Sequence, residues 1–330
     1  MTDSPYPDPE HREYREYREY REYREDREDR EYRKYDDGPP PAGPSLVVVA
    51  HGSRDPRSLA TIRTLLDRVR ELRPGVDVRL GHIEIDEPLL SDTLAGLGTG
   101  RAVLVPLLLS RGVHIKRDLP AAAASAPRLD VRIAAPLGPH PLLVETLYAR
   151  LVEAGWRMDD SEHANEPDGE HANERDRAPS ATGTRAATGH GTRTRRGAAG
   201  VVLAAAGSRD PQSAADTRRT ADLLSERLGG VPVVPAYASA ASPTVPEALR
   251  ALAARGHHRT AVASYFTAPG HFAARSAAAA PWIAAEPLGA HPAMARLLLH
   301  RYDQALTAPH GTTHRRLTLL QASCLQASCL

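Results

Sequence analysis

The sequence is nearly free of cysteine. Only Cys324 and Cys329 occur among 330 residues, both close to the C-terminus. A disulfide framework is excluded, and a reducing compartment is the natural setting. Long apolar runs are missing too: nothing reaches the roughly eighteen residues that a membrane-spanning helix needs. The opening "MTDSPYPDPEHREY" lacks the basic-then-apolar order of a secretory signal, so the expected location is the cytoplasm. There is no charge excess of either sign, since 42 Lys and Arg face 41 Asp and Glu for a net +1. A general nucleic-acid binder needs a sustained basic surface, and that class is set aside. Phosphate-binding signatures are absent as well, because neither GxxxxGK[ST] nor GxGxxG follows the first strand.

Three segments do not read as folded core. Residues 1–44 hold eight triplets over 12–35, REY REY REY REY RED RED REY RKY, with nine basic and nine acidic residues, then the linker "DDGPPPAGP". Like charges three apart oppose a helix, and the Arg-to-Glu pairs at i,i+4 offset this only in part, so a disordered arm is expected. Residues 158–198 are polar, repeat "EHANE", and contain His163, His171 and His190; an interdomain linker is expected there. Residues 307–330 form a tail ending in "QASCLQASCL", without a prenylation box.

The remaining blocks, 45–157 and 199–306, repeat one another. "HGSRDP" at 51–56 matches "AGSRDP" at 206–211, and "EIDEPLL" at 84–90 matches "SAASPTV" at 239–245, both at an offset of 155. "LSRGVHIKRD" at 109–118 matches "TAPGHFAARS" at 267–276 loosely, pairing His114 with His271, and "LGPHP" at 137–141 matches "LGAHP" at 288–292. Four anchors in one order indicate a duplication. In the first block strands are expected at 46–50, 76–83, 101–106 and 130–134, and helices at 56–72, 88–96, 114–124 and 140–154. Asp55 followed by Pro56 marks a helix start, where the aspartate can cap and the missing N–H costs nothing. His140 and His291, each in "LGxHP", are expected to cap helices. Strands alternating with helices predict an α/β fold of two duplicated lobes, each a small parallel sheet flanked by helices, related by a pseudo-two-fold axis.

In open α/β sheets ligands bind beyond the carboxyl ends of the strands. His51 ends strand one, Glu84 ends strand two, and His114 lies in the loop after strand three. Two imidazoles and a carboxylate suit a divalent transition metal with open positions, and the same groups can accept protons near neutral pH. Taken singly, each has a plain structural alternative, a backbone hydrogen bond or a solvated carboxylate; their joint placement favours function. His82 is expected to be a bystander. The "GSRDP" turn recurs in both blocks, so helix initiation is one reading and anion binding by Ser53 and Arg54 the other. Arg54, Arg111, Lys116 and Arg117 could meet an acidic ligand.

"VVVAHGSRDPRS", "EIDEPLL" and "VPLLLSRGVHIKRD" together resemble the sirohydrochlorin chelatase family, the class II chelatases of the CbiX/SirB type. The likeness covers both blocks and leaves the arm, linker and tail aside. It implies insertion of a divalent metal into sirohydrochlorin in a cleft between two α/β lobes, for sirohaem or cobalamin synthesis. By position, His51, His114 and Glu84 match the family's functional residues, with His51 and His114 at the metal. Substrate contacts are expected from Ser53, Arg54, Arg111 and Lys116. No cofactor beyond the substrate metal is implied. Ferrous ion is favoured over cobaltous because no histidine-rich storage tail is present. The second block carries Ala206 and Ser239 where the first has His51 and Glu84, so its site is expected to be degenerate, with Tyr265, Phe266 and Arg275 as candidate substrate contacts or core. One chain contains both lobes and can complete the cleft as a monomer. The alternatives are a non-catalytic metal or tetrapyrrole carrier and, more weakly, a phosphoryl-transfer enzyme.

Overall fold

Strand β1, Ser45–Ala50, is buried from Leu46 onward on both faces, as its unbroken apolar run demands. It lies between β2 (Val78–His82) and β3 (Gly100–Pro106), and β4 (Leu129–Ile133) completes a parallel sheet in the order β2-β1-β3-β4. The computed structural model describes residues 43–157 and 198–308. Nearly all of the expected arm, linker and tail lies outside the described residues. A second parallel sheet runs β6-β5-β7, from β5 (Ala199–Ala205), β6 (Val233–Tyr237) and β7 (Arg259–Tyr265). Where the first sheet has a fourth strand, the second has a single parallel bridge, Val262 to Ala284. The two sheets flanked by helices are duplicated α/β lobes.

The helices that open at Pro56 and Pro141 begin where the sequence signals them, whereas the one expected from 88 starts at Leu90. Helix α1 spans Pro56–Leu72, and the Asp55 side chain accepts the Arg57 N–H at 3.0 Å. Its counterpart α5, Pro211–Arg227, is capped in the same way by Asp210 on Gln212. The first lobe also has α2 (Leu90–Leu97), a π-helical turn (His114–Asp118), α3 (Leu119–Ala124) and α4 (Pro141–Glu153). The second half adds α6 (Val245–Ala254), α7 (His271–Ala278) and α8 (Pro292–Thr307). His140 Nδ1 accepts the Leu142 N–H and His291 Nδ1 accepts the Ala293 N–H, each at 3.2 Å. Both histidines are helix caps. Burial, reinforced by Arg301 and His300, pushes the His140 pKa down to about 2, so its ring stays neutral and keeps the lone pair that the cap requires.

The last helix of each half packs on the other half. Helix α4 packs on β7 and α5, while α8 packs on α1, β3 and β4. Side chains seal the exchange: Arg73 meets Asp303 through two hydrogen bonds of 2.5 and 2.8 Å, and the Tyr302 hydroxyl donates to the Pro44 carbonyl at 2.5 Å. From α4, Arg150 donates to the Leu288 carbonyl at 3.0 Å and Glu145 pairs with Arg227 at 2.9 Å. The Arg132 guanidinium, at the end of β4, caps the last carbonyls of α8, Ala305 and Leu306, at 2.8 and 2.7 Å.

Candidate active site

The strand order 2-1-3-4 reverses direction between β1 and β3, and the crevice beyond that switch point is where such sheets bind ligands. His51 leaves the end of β1 and His114 opens the π-helical turn after β3. Their rings meet edge to face with centroids 4.8 Å apart. Glu84, two residues beyond β2, places Oε1 3.2 Å from His51 Nε2. Three residues far apart in sequence thus meet at one sheet edge. Their side chains remain open to solvent, with relative exposures of 42% for His51, 56% for Glu84 and 36% for His114.

Backbone geometry explains how Glu84 arrives there. The Glu84 N–H donates to the His51 carbonyl at 3.1 Å, extending the β1–β2 ladder past the ends of the strands. Gly52, at φ +102°, lets the Glu84 carbonyl lie so close that an added Cβ would stand 1.9 Å from its oxygen. The second lobe repeats the device: Ser239 N–H donates to the Ala206 carbonyl at 2.9 Å, and a Cβ on Gly207 would stand 1.9 Å from the Ser239 oxygen. The scaffold is therefore present twice, while the histidine and the glutamate it carries occur once, as Ala206 and Ser239 stand in the second lobe.

The two histidines are held differently. His51 faces an acceptor at each ring nitrogen, the Gly52 carbonyl 3.3 Å from Nδ1 and Glu84 Oε1 3.2 Å from Nε2. His114 directs Nδ1–H at Asp118 Oδ2, 2.6 Å away, which turns the Nε2 lone pair outward. Asp118 was not singled out among the candidate residues, although its i+4 spacing from His114 on a helical stretch is a signal that could have found it. Among the described residues no three His, Cys, Asp or Glu side chains converge closely enough to hold a metal ion.

Other expected residues take different positions. Ser53 uses its N–H on Asp86 Oδ2 (2.9 Å) and its hydroxyl oxygen on the Asp55 N–H (3.1 Å), so both polar groups serve the turn. Arg111 forms an interlobe ion pair with Asp216, whose side chain is only 2% exposed. Lys116 pairs with Asp210 at 2.5 Å, and this contact holds the Asp210 carboxyl below the usual carboxylate range. Both cations therefore tie the His114 segment to α5 of the second lobe. Their acidic partners lie 105 and 94 residues away, a distance at which sequence reading has no signal. Arg54 and Arg117 are exposed, and so is Arg209, the second-lobe counterpart of Arg54. His82 is buried, with Nδ1 3.2 Å from the Pro88 carbonyl, a structural residue as expected.

The second lobe also corrects an alignment. A Cβ on Gly112 would lie 3.9 Å from Ser208 Oγ, and one on Gly270 would lie 3.6 Å from Ser53 Oγ. Each glycine loop thus approaches the strand-one turn of the other lobe, and each glycine carbonyl accepts the N–H four residues on. The equivalent residues are Gly112 and Gly270, which sets Phe272, not His271, in the place of His114. Tyr265 is core: its hydroxyl donates to the Leu109 carbonyl at 3.2 Å, and burial raises its pKa. Phe266 packs against the second sheet's core, and Arg275 donates to the Ala238 carbonyl.

Truncating Arg111 is expected to be costly, because it strands a buried carboxylate. Arg111→Ala should lower stability by about 3 kcal/mol, several degrees in Tm. Adding Asp216→Ala should restore part of that loss in a thermal melt, because the stranded charge goes with it. Simple additivity of the two losses would contradict the pairing.

The CbiX family profile matches residues 45–154 and 200–305. The chain is similar to the sirohydrochlorin cobaltochelatase of Methanopyrus kandleri, 28% identical over 137 residues that cover 33% of this chain and 96% of that one. It is 30% identical over 113 residues to the chloroplastic sirohydrochlorin ferrochelatase of Arabidopsis thaliana, covering 32% of this chain and 50% of that one. Among solved structures, SirB from Bacillus subtilis with Fe3+ superposes with a TM-score of 0.57 at 20% identity, over 80% of this chain and 95% of that one, a likeness of fold.

Proposed function

Because the chain belongs to the CbiX family of class II chelatases, we propose that it inserts a divalent metal, ferrous or cobaltous ion, into sirohydrochlorin, with the chemistry confined to the first lobe. The observation that carries this reading is the meeting of His51, Glu84 and His114 at the β1/β3 switch point, against Ala206, Ser239 and Phe272 in the second lobe.

Insertion replaces two pyrrole N–H bonds by bonds to the metal and releases two protons. His114 offers the Nε2 lone pair that first meets the incoming ion, with Asp118 keeping the proton on Nδ1. His51, with Nδ1 facing the Gly52 carbonyl, takes a pyrrole proton on Nε2 and passes it to Glu84, which releases it to solvent. The exposed Arg54, Arg209 and Arg117 remain for the carboxylates of the macrocycle. Arg111 and Lys116, engaged across the interface, position the His114 segment instead. No resident cofactor enters these steps, because the metal is itself a substrate.

The test is the visible spectral change when ferrous or cobaltous ion meets sirohydrochlorin anaerobically. Catalytic amounts of protein should accelerate it over the protein-free control. A stoichiometric burst that then proceeds at the control rate would assign the protein as a carrier instead. Running the two metals in competition ranks them, since binding preference along the divalent series does not decide which one is used.

A further inference from the structure

Ile85, the residue after Glu84, has φ +74°, where a β-branched side chain is a genuine outlier. The Asp86 N–H donates to the Glu84 carbonyl at 2.9 Å, closing a three-residue γ-turn around Ile85 in its rare, strained form. The turn is pinned from outside by Ser53 on the Asp86 carboxylate. A strained isoleucine is ordinarily compensated by burial. This one is 53% exposed.

The second lobe shows that the scaffold does not require it. Ala240, at the equivalent place, has φ +54°, and no bond closes a γ-turn around it among the described residues. The lobe that lacks the first histidine and the glutamate thus has the smaller side chain and the more relaxed turn. Val113, 54% exposed, stands beside His114 as Ile85 stands beside Glu84. Two exposed branched aliphatic side chains therefore border the three polar residues.

We propose that Ile85 is a substrate-binding residue whose side chain packs against the apolar face of the tetrapyrrole, near its ring nitrogens, and that the γ-turn exists to present it. The proposal rests on the chelatase reading for the identity of the macrocycle. A flat conjugated ring offers an apolar face as well as a carboxylate rim. Ile85 lies beside the proton-accepting Glu84 and its side chain carries no charge. It therefore suits the face, leaving the rim to arginines. Strain held at a functional site is offset when ligand binding removes the exposed apolar surface from water.

The test uses metal-free sirohydrochlorin, with binding followed by its own fluorescence, and the full chain. Ile85→Gly relieves the backbone strain, and Ile85→Asn tolerates the turn while removing the apolar surface. Both should raise the Kd about tenfold. Their Tm should equal or exceed that of the unmodified protein, and the KM for the metal should not change. Val152→Ala, which trims an exposed aliphatic side chain on α4, should leave the Kd unchanged. A Kd within twofold of the unmodified value in both Ile85 variants would overturn the proposal, as would an equal loss in Val152→Ala. The chelatase reading fails separately: if the unmodified protein binds the macrocycle but does not speed insertion, weaker binding by the Ile85 variants still upholds this assignment.

Discussion

Alanine in place of His51 or His114 should lower the rate of metal insertion about a hundredfold or more, the range expected when a positioned acid–base or ligand group is lost. Folding should hardly change, because both side chains are substantially exposed and the substitutions remove little packing. The two losses should differ in kind. His114→Ala should raise the KM for the metal, since it removes the outward lone pair, and Asp118→Ala should weaken metal use about tenfold through the same ring. His51→Ala should act mainly on kcat at saturating metal, and Glu84→Gln should match it, because the two form one proton path. Steady-state assays with metal and macrocycle varied separately distinguish these cases. If His51→Ala and His114→Ala both turned over at the unmodified rate, the site would be wrongly placed.

The largest effect on folding is expected from Gly52→Ala. The new Cβ would lie 1.9 Å from the Glu84 carbonyl oxygen, at φ +102°. Neither neighbour is a flexible side-chain tip; the obstacle is backbone, held by the Glu84 N–H on the His51 carbonyl. One of the two segments must move by more than an ångström, which should cost about 3 kcal/mol or more and carry Glu84 away from His51. Gly207→Ala meets the same clash at the Ser239 carbonyl, 1.9 Å away. It should cost comparable stability, while turnover measured below its melting temperature should fall far less. Thermal melts paired with insertion assays separate the shared scaffold from the single active site. Equal loss of turnover in both variants would argue against chemistry confined to the first lobe.

These two cases show what was legible in the sequence. Helix α1 was placed residue for residue because Asp55-Pro56 is a local signal, and a cap acts on its immediate neighbours. The meeting of His51, Glu84 and His114 followed from strand order, since residues that end parallel strands share an edge. Asp118 was within reach through its spacing on a helical stretch. The engagement of Arg111 and Lys116 was not, because Asp216 and Asp210 are brought to them by the packing of two lobes, and the cations read equally well as substrate contacts. Ser53 looked like an anion donor for a similar reason: nothing local announces that Asp86 takes its N–H. Nor does periodicity reveal the exchange of α4 and α8. An amphipathic pattern shows that a face is buried and is silent about which sheet buries it.

That exchange has a consequence for how the chain behaves as an object. Each half carries, as its final helix, a piece of the other half's wall, so the segment joining them is not what holds them together. None of the contacts described across the seam involves residues 158–197, so a cut there would leave all of them available. The sequence even supplies a built-in reporter of whether the halves remain joined. Its two tryptophans, Trp156 just after α4 and Trp282 in the second half, lie with ring centroids 5.6 Å apart. Their emission therefore reports on the seam between the halves.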